Sequence, residues 1–185
     1  MTQAQLTVLA GPTAVGKGTV VAALLKRYPH LRVSVSATTR NPRPGELNGV
    51  HYYFVSPSEF DFMIERGEML EWALVHGKNK YGTPRGPVDM ALAAGEPVLL
   101  EIDLAGARQV RANRPDAQFI FLAPPSWEEL ERRLIGRGTE GPEERERRLA
   151  TARVEMEAAS EFDHVVINDD VDRAVSELAG LIGLE

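Results

Sequence analysis

Short, continuous apolar runs alternate along the chain with stretches whose apolar residues recur at helical spacing. That alternation predicts an α/β fold: a mainly parallel sheet covered by helices on both faces. Leu6–Ala10 reads as a buried first strand, residues 11–16 as a turn, and the following stretch to about Tyr28 as a helix stopped by Pro29. Residues 33–36 and 51–55 have strand character, and residues 69–75 form a longer strand pattern. Between them, Ser56, Pro57 and Glu59 predict a capped helix start, with the helix ending near Gly67. Residues 84–94 predict a helix closed by Gly95, residues 98–103 an apolar strand ending in acids, and a helix then runs to about Asn113. After a strand at 119–123, Ser126 and Glu129 predict a second capping box. A glycine-rich interruption at 136–142 separates that helix from a charged one at about 143–160. A strand at 165–168 and a helix at 171–181 complete the pattern. No internal repeat and no long linker divides the chain.

Composition narrows this picture. The 185 residues are 43% hydrophobic and 26% charged, which suits one compact domain and argues against disorder. With no cysteine there is no disulfide, thiolate metal site or thiol nucleophile. No apolar run approaches the roughly 18 residues of a membrane span, and no signal-peptide pattern is visible, so a cytoplasmic location is expected. The net charge of −6 argues against general nucleic-acid binding. It is unevenly distributed: residues 1–92 carry 10 Lys and Arg against 7 Asp and Glu, and residues 93–185 carry 11 against 20. The excess positive charge of the first half suggests an anionic ligand there.

The strongest chemical signal is Gly11-Pro12-Thr13-Ala14-Val15-Gly16-Lys17-Gly18-Thr19, between a predicted strand and a predicted helix. Glycines at this spacing let backbone N–H groups converge on phosphate oxygens, the helix N-terminus adds partial positive charge, and Lys17 reaches the outer phosphates. Gly18 departs from the usual Ser or Thr that binds Mg²⁺, but Thr19 supplies a neighbouring hydroxyl. Glu101 and Asp103, at the end of an apolar strand and on one face by strand spacing, suit the carboxylate element beside a bound nucleotide. Spacing leaves open which of them serves metal and which serves substrate.

Residues 34–52 then carry Ser36-x-Thr38-Thr39-Arg40-x-Pro42-Arg43-x-Gly45-Glu46 and, further on, Gly49 and Tyr52. Leu70-Glu71-Trp72, Tyr81-Gly82-Thr83, Ile102-Asp103-x-x-Gly106, residues 123–126, residues 136–140 and residues 166–169 follow in order. With these motifs the chain resembles the guanylate kinase family, from about Leu6 to Leu181. The resemblance implies ATP-dependent phosphorylation of GMP, and of dGMP, with Mg²⁺ as cofactor. It implies a phosphate-loop core at 1–33, 84–125 and 159–185, a GMP-binding region at 34–83, and a helical lid at 126–158. On matching positions, Arg40, Arg43, Tyr52 and Tyr81 serve the GMP phosphate, Ser36, Glu71, Thr83 and Asp103 the guanine, and Glu46 belongs to the same GMP-binding set.

ATP falls to residues 11–19 together with Arg137, Asn168 and Asp169, metal to Thr19 and Glu101 through water, and catalysis to Lys17, Arg137 and Arg148. Arg133 is a weaker match. Arg132, Arg145, Arg147 and Arg153 read as solvated surface. Partners are expected to be ATP and GMP alone, with no nucleic acid, membrane or obligatory protein. Two rivals are a catalytically inactive binding module and a phosphate-loop kinase for another nucleoside monophosphate. Intact Lys17, Arg137 and Arg148 oppose the first, and Ser36 with Glu71 the second.

Overall fold

The computed structural model describes residues 4–136 and 140–185. In chain order the elements are β1 (Leu6–Ala10), α1 (Lys17–Arg27), β2 (Arg32–Val33), β3 (Ala37–Thr38), β4 (Tyr53–Phe54), α2 (Pro57–Glu65), β5 (Met69–Val75) and β6 (Asn79–Pro84). Then follow α3 (Arg85–Ala93), β7 (Val98–Glu101), α4 (Leu104–Asn113), β8 (Gln118–Ala123), α5 (Trp127–Ile135), α6 (Pro142–Glu157), a 3₁₀ turn (Ala158–Glu161), β9 (His164–Ile167) and α7 (Val171–Ile182).

Five parallel strands form the main sheet in the order β2-β7-β1-β8-β9. Every residue of β1 is buried, which is why the strand reads as an unbroken apolar run. Its side chains still alternate. Leu9, Leu99, Ile120 and Leu122 pack with Val20, Val21 and Leu24 of α1 and Val175 and Leu178 of α7. Leu6, Val8, Leu100 and Phe119 pack on the opposite face with Val88 of α3 and Ala107 and Val110 of α4. β1 lies between β7 and β8, so the chain leaves the sheet at a point where connections diverge to either side. In open parallel sheets that crevice, at the carboxyl ends of the strands, is where ligands bind.

A second, mixed sheet has the order β4-β3-β6-β5, with β3 parallel to β4 and β6 antiparallel to both β3 and β5. Its apolar side is small: Ala37, Phe60 of α2 and Met69, with Trp72 against them. The helix start at Ser56 forms as expected. Its hydroxyl accepts the Glu59 N–H at 3.1 Å, and the Glu59 carboxylate accepts the Ser56 N–H at 2.7 Å.

Three local expectations are corrected, and one strand had no counterpart in the sequence pattern. Residues 33–36 do not form one strand: Val33 ends β2 in the main sheet, while Ala37 begins β3 in the second. Residues 79–84, with little apolar pattern, are strand β6, paired on both sides. Asp103 is not on a strand with Glu101; β7 ends at Glu101, and Asp103 caps α4 by accepting the Gly106 N–H at 2.7 Å. Ser126 caps α5 by accepting the Glu129 N–H, but the Glu129 carboxylate turns to Arg132 and Arg133. Those arginines, one helical turn away, offer charge-assisted bonds in place of the return bond to the cap.

Candidate active site

The turn from β1 into α1 folds as a cradle. Val15 N–H donates to Pro12 C=O at 3.2 Å and Val20 N–H to Gly16 C=O at 3.1 Å. Gly16 sits at φ +93°, and a Cβ there would lie 2.8 Å from Asn168 Nδ2, so both backbone and space demand glycine. The Val15 carbonyl accepts two donors: Asn168 Nδ2 at 2.8 Å and Arg133 Nη1 at 3.1 Å. A third bond comes from α6, whose Glu155 Oε2 accepts the Thr13 N–H at 3.1 Å. Lys17 Nζ donates to Ile102 C=O at 2.9 Å, across from the loop. Burial lowers the Lys17 pKa from its ordinary value, against the opposing pull of Glu101, Asp103 and Glu155. A cavity of about 360 Å³ opens over this turn, lined by the whole of residues 11–19 together with Glu101, Asp103 and Glu155.

A second group of candidate residues is built on the second sheet. Glu71 on β5 faces Thr83 on β6 by register, and Thr83 Oγ1 donates to Glu71 Oε1 at 2.7 Å. Both side chains are buried. Gly106 lets Glu71 and Asp103 approach one another: a Cβ on Gly106 would stand 3.2 Å from Glu71 Oε2 and 3.1 Å from Asp103 Oδ1. Burial raises the Glu71 pKa, and the charge of Asp103 adds to the rise. Helix α4 fixes this strand in place. Gln109 Oε1 accepts Trp72 N–H at 3.0 Å, its Nε2 donates to Trp72 C=O at 2.9 Å, and Asn113 Nδ2 donates to Leu70 C=O at 2.9 Å.

The basic loop is equally ordered. Arg40 makes a two-pronged pair with Glu46, Nη1 to Oε2 at 3.0 Å and Nη2 to Oε1 at 2.9 Å, and Glu46 Oε2 also accepts the Arg43 N–H at 2.8 Å. The Arg40 guanidinium lies 5.3 Å from the centre of the Tyr52 ring, which meets Tyr81 edge-on at 5.9 Å. These bonds hold the Glu46 carboxyl down to about 2 and push the Arg40 pKa up.

The structure thus brings Lys17, Gly18, Thr19, Glu101 and Asp103 to one cavity and Glu71, Thr83 and Asp103 to one constellation, with Asp103 shared between the two. It sets Arg40, Arg43, Glu46, Tyr52 and Tyr81 on neighbouring strands and one loop. Ser36 lies just before β3, where its carbonyl accepts the Tyr53 N–H at 2.9 Å. Asn168 is buried under the phosphate loop, bonded to Val15, and Asp169 pairs with Arg173. Both oxygens of Glu46 are committed to Arg40 and the Arg43 backbone. Arg148 pairs with Glu140, and Arg137 lies outside the described residues. Gln109, Asn113 and Glu155 stand in this framework with no local sequence signal, and Arg133 with only a weak motif match. Among the described residues no three His, Asp or Glu side chains cluster closely enough to hold a metal by themselves. Thr19 and Glu101 offer hard oxygen donors beside the cradle, with Glu101 Oε1 3.9 Å from the position of a Cβ on Gly18. That donor set suits an ion completed by phosphate oxygens and water, as Mg²⁺ usually is. No described helix is long and apolar enough to cross a membrane.

The sequence and the fold both resemble those of known proteins. The family model described as guanylate kinase matches residues 3–185. The chain is 61% identical over 178 residues to a guanylate kinase of Thermobifida fusca, covering 96% of this chain and 90% of that one. It is 59% identical over 177 residues to one of Cutibacterium acnes, covering 96% and 89%. Among solved structures, a guanylate kinase from Anaplasma phagocytophilum superimposes with a TM-score of 0.71 at 32% identity, covering 98% of this chain and 85% of that one. A shikimate kinase from Bacteroides thetaiotaomicron, at 14% identity and a TM-score of 0.51, shares the fold alone.

Proposed function

Because the chain belongs to the guanylate kinase family, it is an enzyme that phosphorylates GMP at the expense of ATP, and we propose that it does so by in-line transfer between two sites that meet at Lys17 and Asp103. The observation that carries this division is the placement of Asp103, which lines the phosphate-loop cavity and also adjoins Glu71 at Gly106.

Residues 11–19 hold the ATP phosphates, with Asn168 and Arg133 bracing the loop from beneath through the Val15 carbonyl. Arg40 and Arg43, with the hydroxyls of Tyr52 and Tyr81, hold the GMP phosphate, and Glu46 keeps the loop in register. Two guanidinium forks suit a dianion. Guanine presents N1–H and N2–H₂ on one edge to Glu71, whose Oε1 is shared with Thr83 and whose Oε2 faces the Asp103 side. Adenine presents an unprotonated N1 there and leaves the carboxylate unmatched, which rejects it. No contact proposed for GMP involves the ribose 2′-hydroxyl, so dGMP is accepted too.

The nucleophile is a phosphate oxygen, already anionic at neutral pH, and no general base is required. The chain's task is to align two anions and to neutralise the charge on the group in transit. Lys17 bridges toward the outer phosphates, exchanging its bond to Ile102 for them. Arg148, and Arg137 from outside the described residues, close from the lid at 126–158, which also keeps water from the transferred group. A Mg²⁺ ion held by Thr19 and Glu101 through water would supply further charge neutralisation on the phosphate oxygens. We place the enzyme in the cytoplasm, acting on free nucleotides.

The division of labour is tested with Lys17→Ala. Turnover should fall by roughly 10³-fold or more, the scale of a lost transition-state cation, while GMP affinity by calorimetry stays within about twofold of wild type, as for removal of an interaction made only in the transition state. Parallel losses of both would contradict it.

A further inference from the structure

Three consecutive residues of the phosphate loop are gripped by the lid helices, each by a different contact. The Thr13 N–H donates to Glu155 Oε2 of α6 at 3.1 Å. The Ala14 side chain packs in the apolar cluster of Leu130, Leu134 and Ala152, joined by Leu149 and Met156. The Val15 carbonyl accepts from Arg133 of α5. Ala14 stands at φ +68°, a left-handed conformation that costs a non-glycine residue roughly 1 kcal/mol or more and persists only where neighbours hold it. The lid thus fixes the shape of the loop it covers.

Within this grip Glu155 is the contact tied to the reacting end. Arg148 and Glu155 are seven residues apart on α6, two turns and about 10.5 Å along one face of the helix. A smaller cavity between α6 and the loop is lined by Thr13, Glu144, Arg147, Arg148 and Thr151. The same face therefore carries Arg148 over that cavity and Glu155 down onto Thr13. Glu155 also lines the phosphate cavity with Lys17, Glu101 and Asp103. A further carboxylate beside a triphosphate site is electrostatically adverse, so its presence calls for a compensating role. The bond to Thr13 supplies one.

We propose that Glu155 is a positioning residue for phosphoryl transfer: by accepting the Thr13 N–H it sets the register of the lid helix on the phosphate loop and so aims Arg148 at the transferred group. This rests on the assignment of GMP phosphorylation to the chain. Wild-type turnover of GMP tests that assignment, and a double-mutant cycle tests the proposal. Glu155→Ala should lower kcat by roughly 10- to 100-fold, the scale of a 1 Å misplacement of a catalytic group, and leave the KM for GMP unchanged. Glu155→Gln keeps a carbonyl oxygen that accepts the same N–H, so its kcat should stay within about threefold of wild type. In an Arg148→Ala background, Glu155→Ala should add less than about twofold, because the two residues act as one unit.

Independent losses in the double variant would overturn the proposal. So would Glu155→Gln as slow as Glu155→Ala, which would show that the charge and not the bond matters. A Glu155→Gln variant faster than wild type with a lower KM for ATP would show that the carboxylate competes with the triphosphate, and would overturn it as well. Thermal melts accompany each variant. If Glu155→Ala unfolds at assay temperature, Glu155→Asp, which withdraws the acceptor by one methylene, takes its place in the cycle with the same expected losses.

Discussion

Replacing Glu71 with Gln isolates base recognition from packing, because the two side chains have the same shape and the Gln carbonyl oxygen can still accept the Thr83 hydroxyl that Glu71 Oε1 accepts at 2.7 Å. What changes is the second position: an acceptor oxygen near Gly106 and Asp103 becomes an N–H₂ donor, which in the proposed complex opposes guanine's own donors. At least one hydrogen bond to a charged group is lost, worth about 1.5–3 kcal/mol. At 1.36 kcal/mol per tenfold in rate, kcat/KM for GMP should fall by about 10- to 150-fold, and donor–donor opposition pushes it toward the upper end. Discrimination against AMP should narrow in parallel, since adenine's unprotonated N1 accepts from an amide.

Stability should move the other way. The folded Glu71 pKa is raised above the ordinary 4.5 by burial and by Asp103. A carboxyl with a raised pKa stabilises the fold in its protonated form, below pH 4.5, and that contribution is lost as pH rises through the raised value. At neutral pH the ionised Glu71 is therefore a cost that Gln does not carry. The variant should melt no lower than wild type at pH 7, with the difference vanishing in acid. Steady-state kinetics with GMP and AMP, and melting curves from pH 4 to 7, measure both effects. A variant with kcat/KM for GMP within about twofold of wild type would refute the role given to the carboxylate. One that melts well below wild type at pH 7 would refute the electrostatic account.

Glu46 behaves with the opposite sign. Its carboxyl is held to about 2 by Arg40 and the Arg43 N–H, so its contribution is present above the ordinary 4.5 and lost as pH falls through about 2. Glu46→Gln should flatten the acid limb of the wild-type stability profile between those values in urea titrations. It should also raise the KM for GMP by roughly tenfold, as the two-pronged hold on Arg40 weakens. Gly18→Ser places a Cβ 3.9 Å from Glu101 Oε1, an ordinary contact, in the first turn of α1. It should stabilise the fold by about 0.5 kcal/mol through helix propensity and lower the Mg²⁺ concentration for half-maximal activity, read from melts and a Mg²⁺ titration. A lower melting point would mean that the loop does not tolerate a side chain there.

The parts of the fold legible in the sequence are those where local chemistry and burial agree. The β1 run, the Gly16-Lys17 turn and the Ser56 cap each declare themselves within a few residues. Strand β6 did not, because Asn79, Lys80, Gly82 and Pro84 have low strand preference, and the segment is extended by its partners β3 and β5 rather than by its own side chains. Glu101 and Asp103 looked like one strand face, but the strand stops at Glu101 and Asp103 turns to cap α4, which carries it toward Glu71.

The candidate residues of the two proposed sites stood out as motifs. Their supports were not, because each support acts across a long separation. Asn168 reaches Val15, Glu155 reaches Thr13, and Gln109 reaches Trp72. Asn168 shows the limit well. Its place in a motif pointed to the nucleotide, and its buried amide bonds to the Val15 carbonyl of the turn between β1 and α1.

The most direct test of the central claim is ADP release by the purified protein, measured by coupled assay with ATP, Mg²⁺ and one of GMP, dGMP, AMP or UMP as acceptor. The account predicts turnover with GMP and dGMP and very little with AMP or UMP, because only guanine offers N1–H and N2–H₂ to Glu71. Absence of turnover with GMP while ATP and GMP both bind, or preference for AMP, would contradict it.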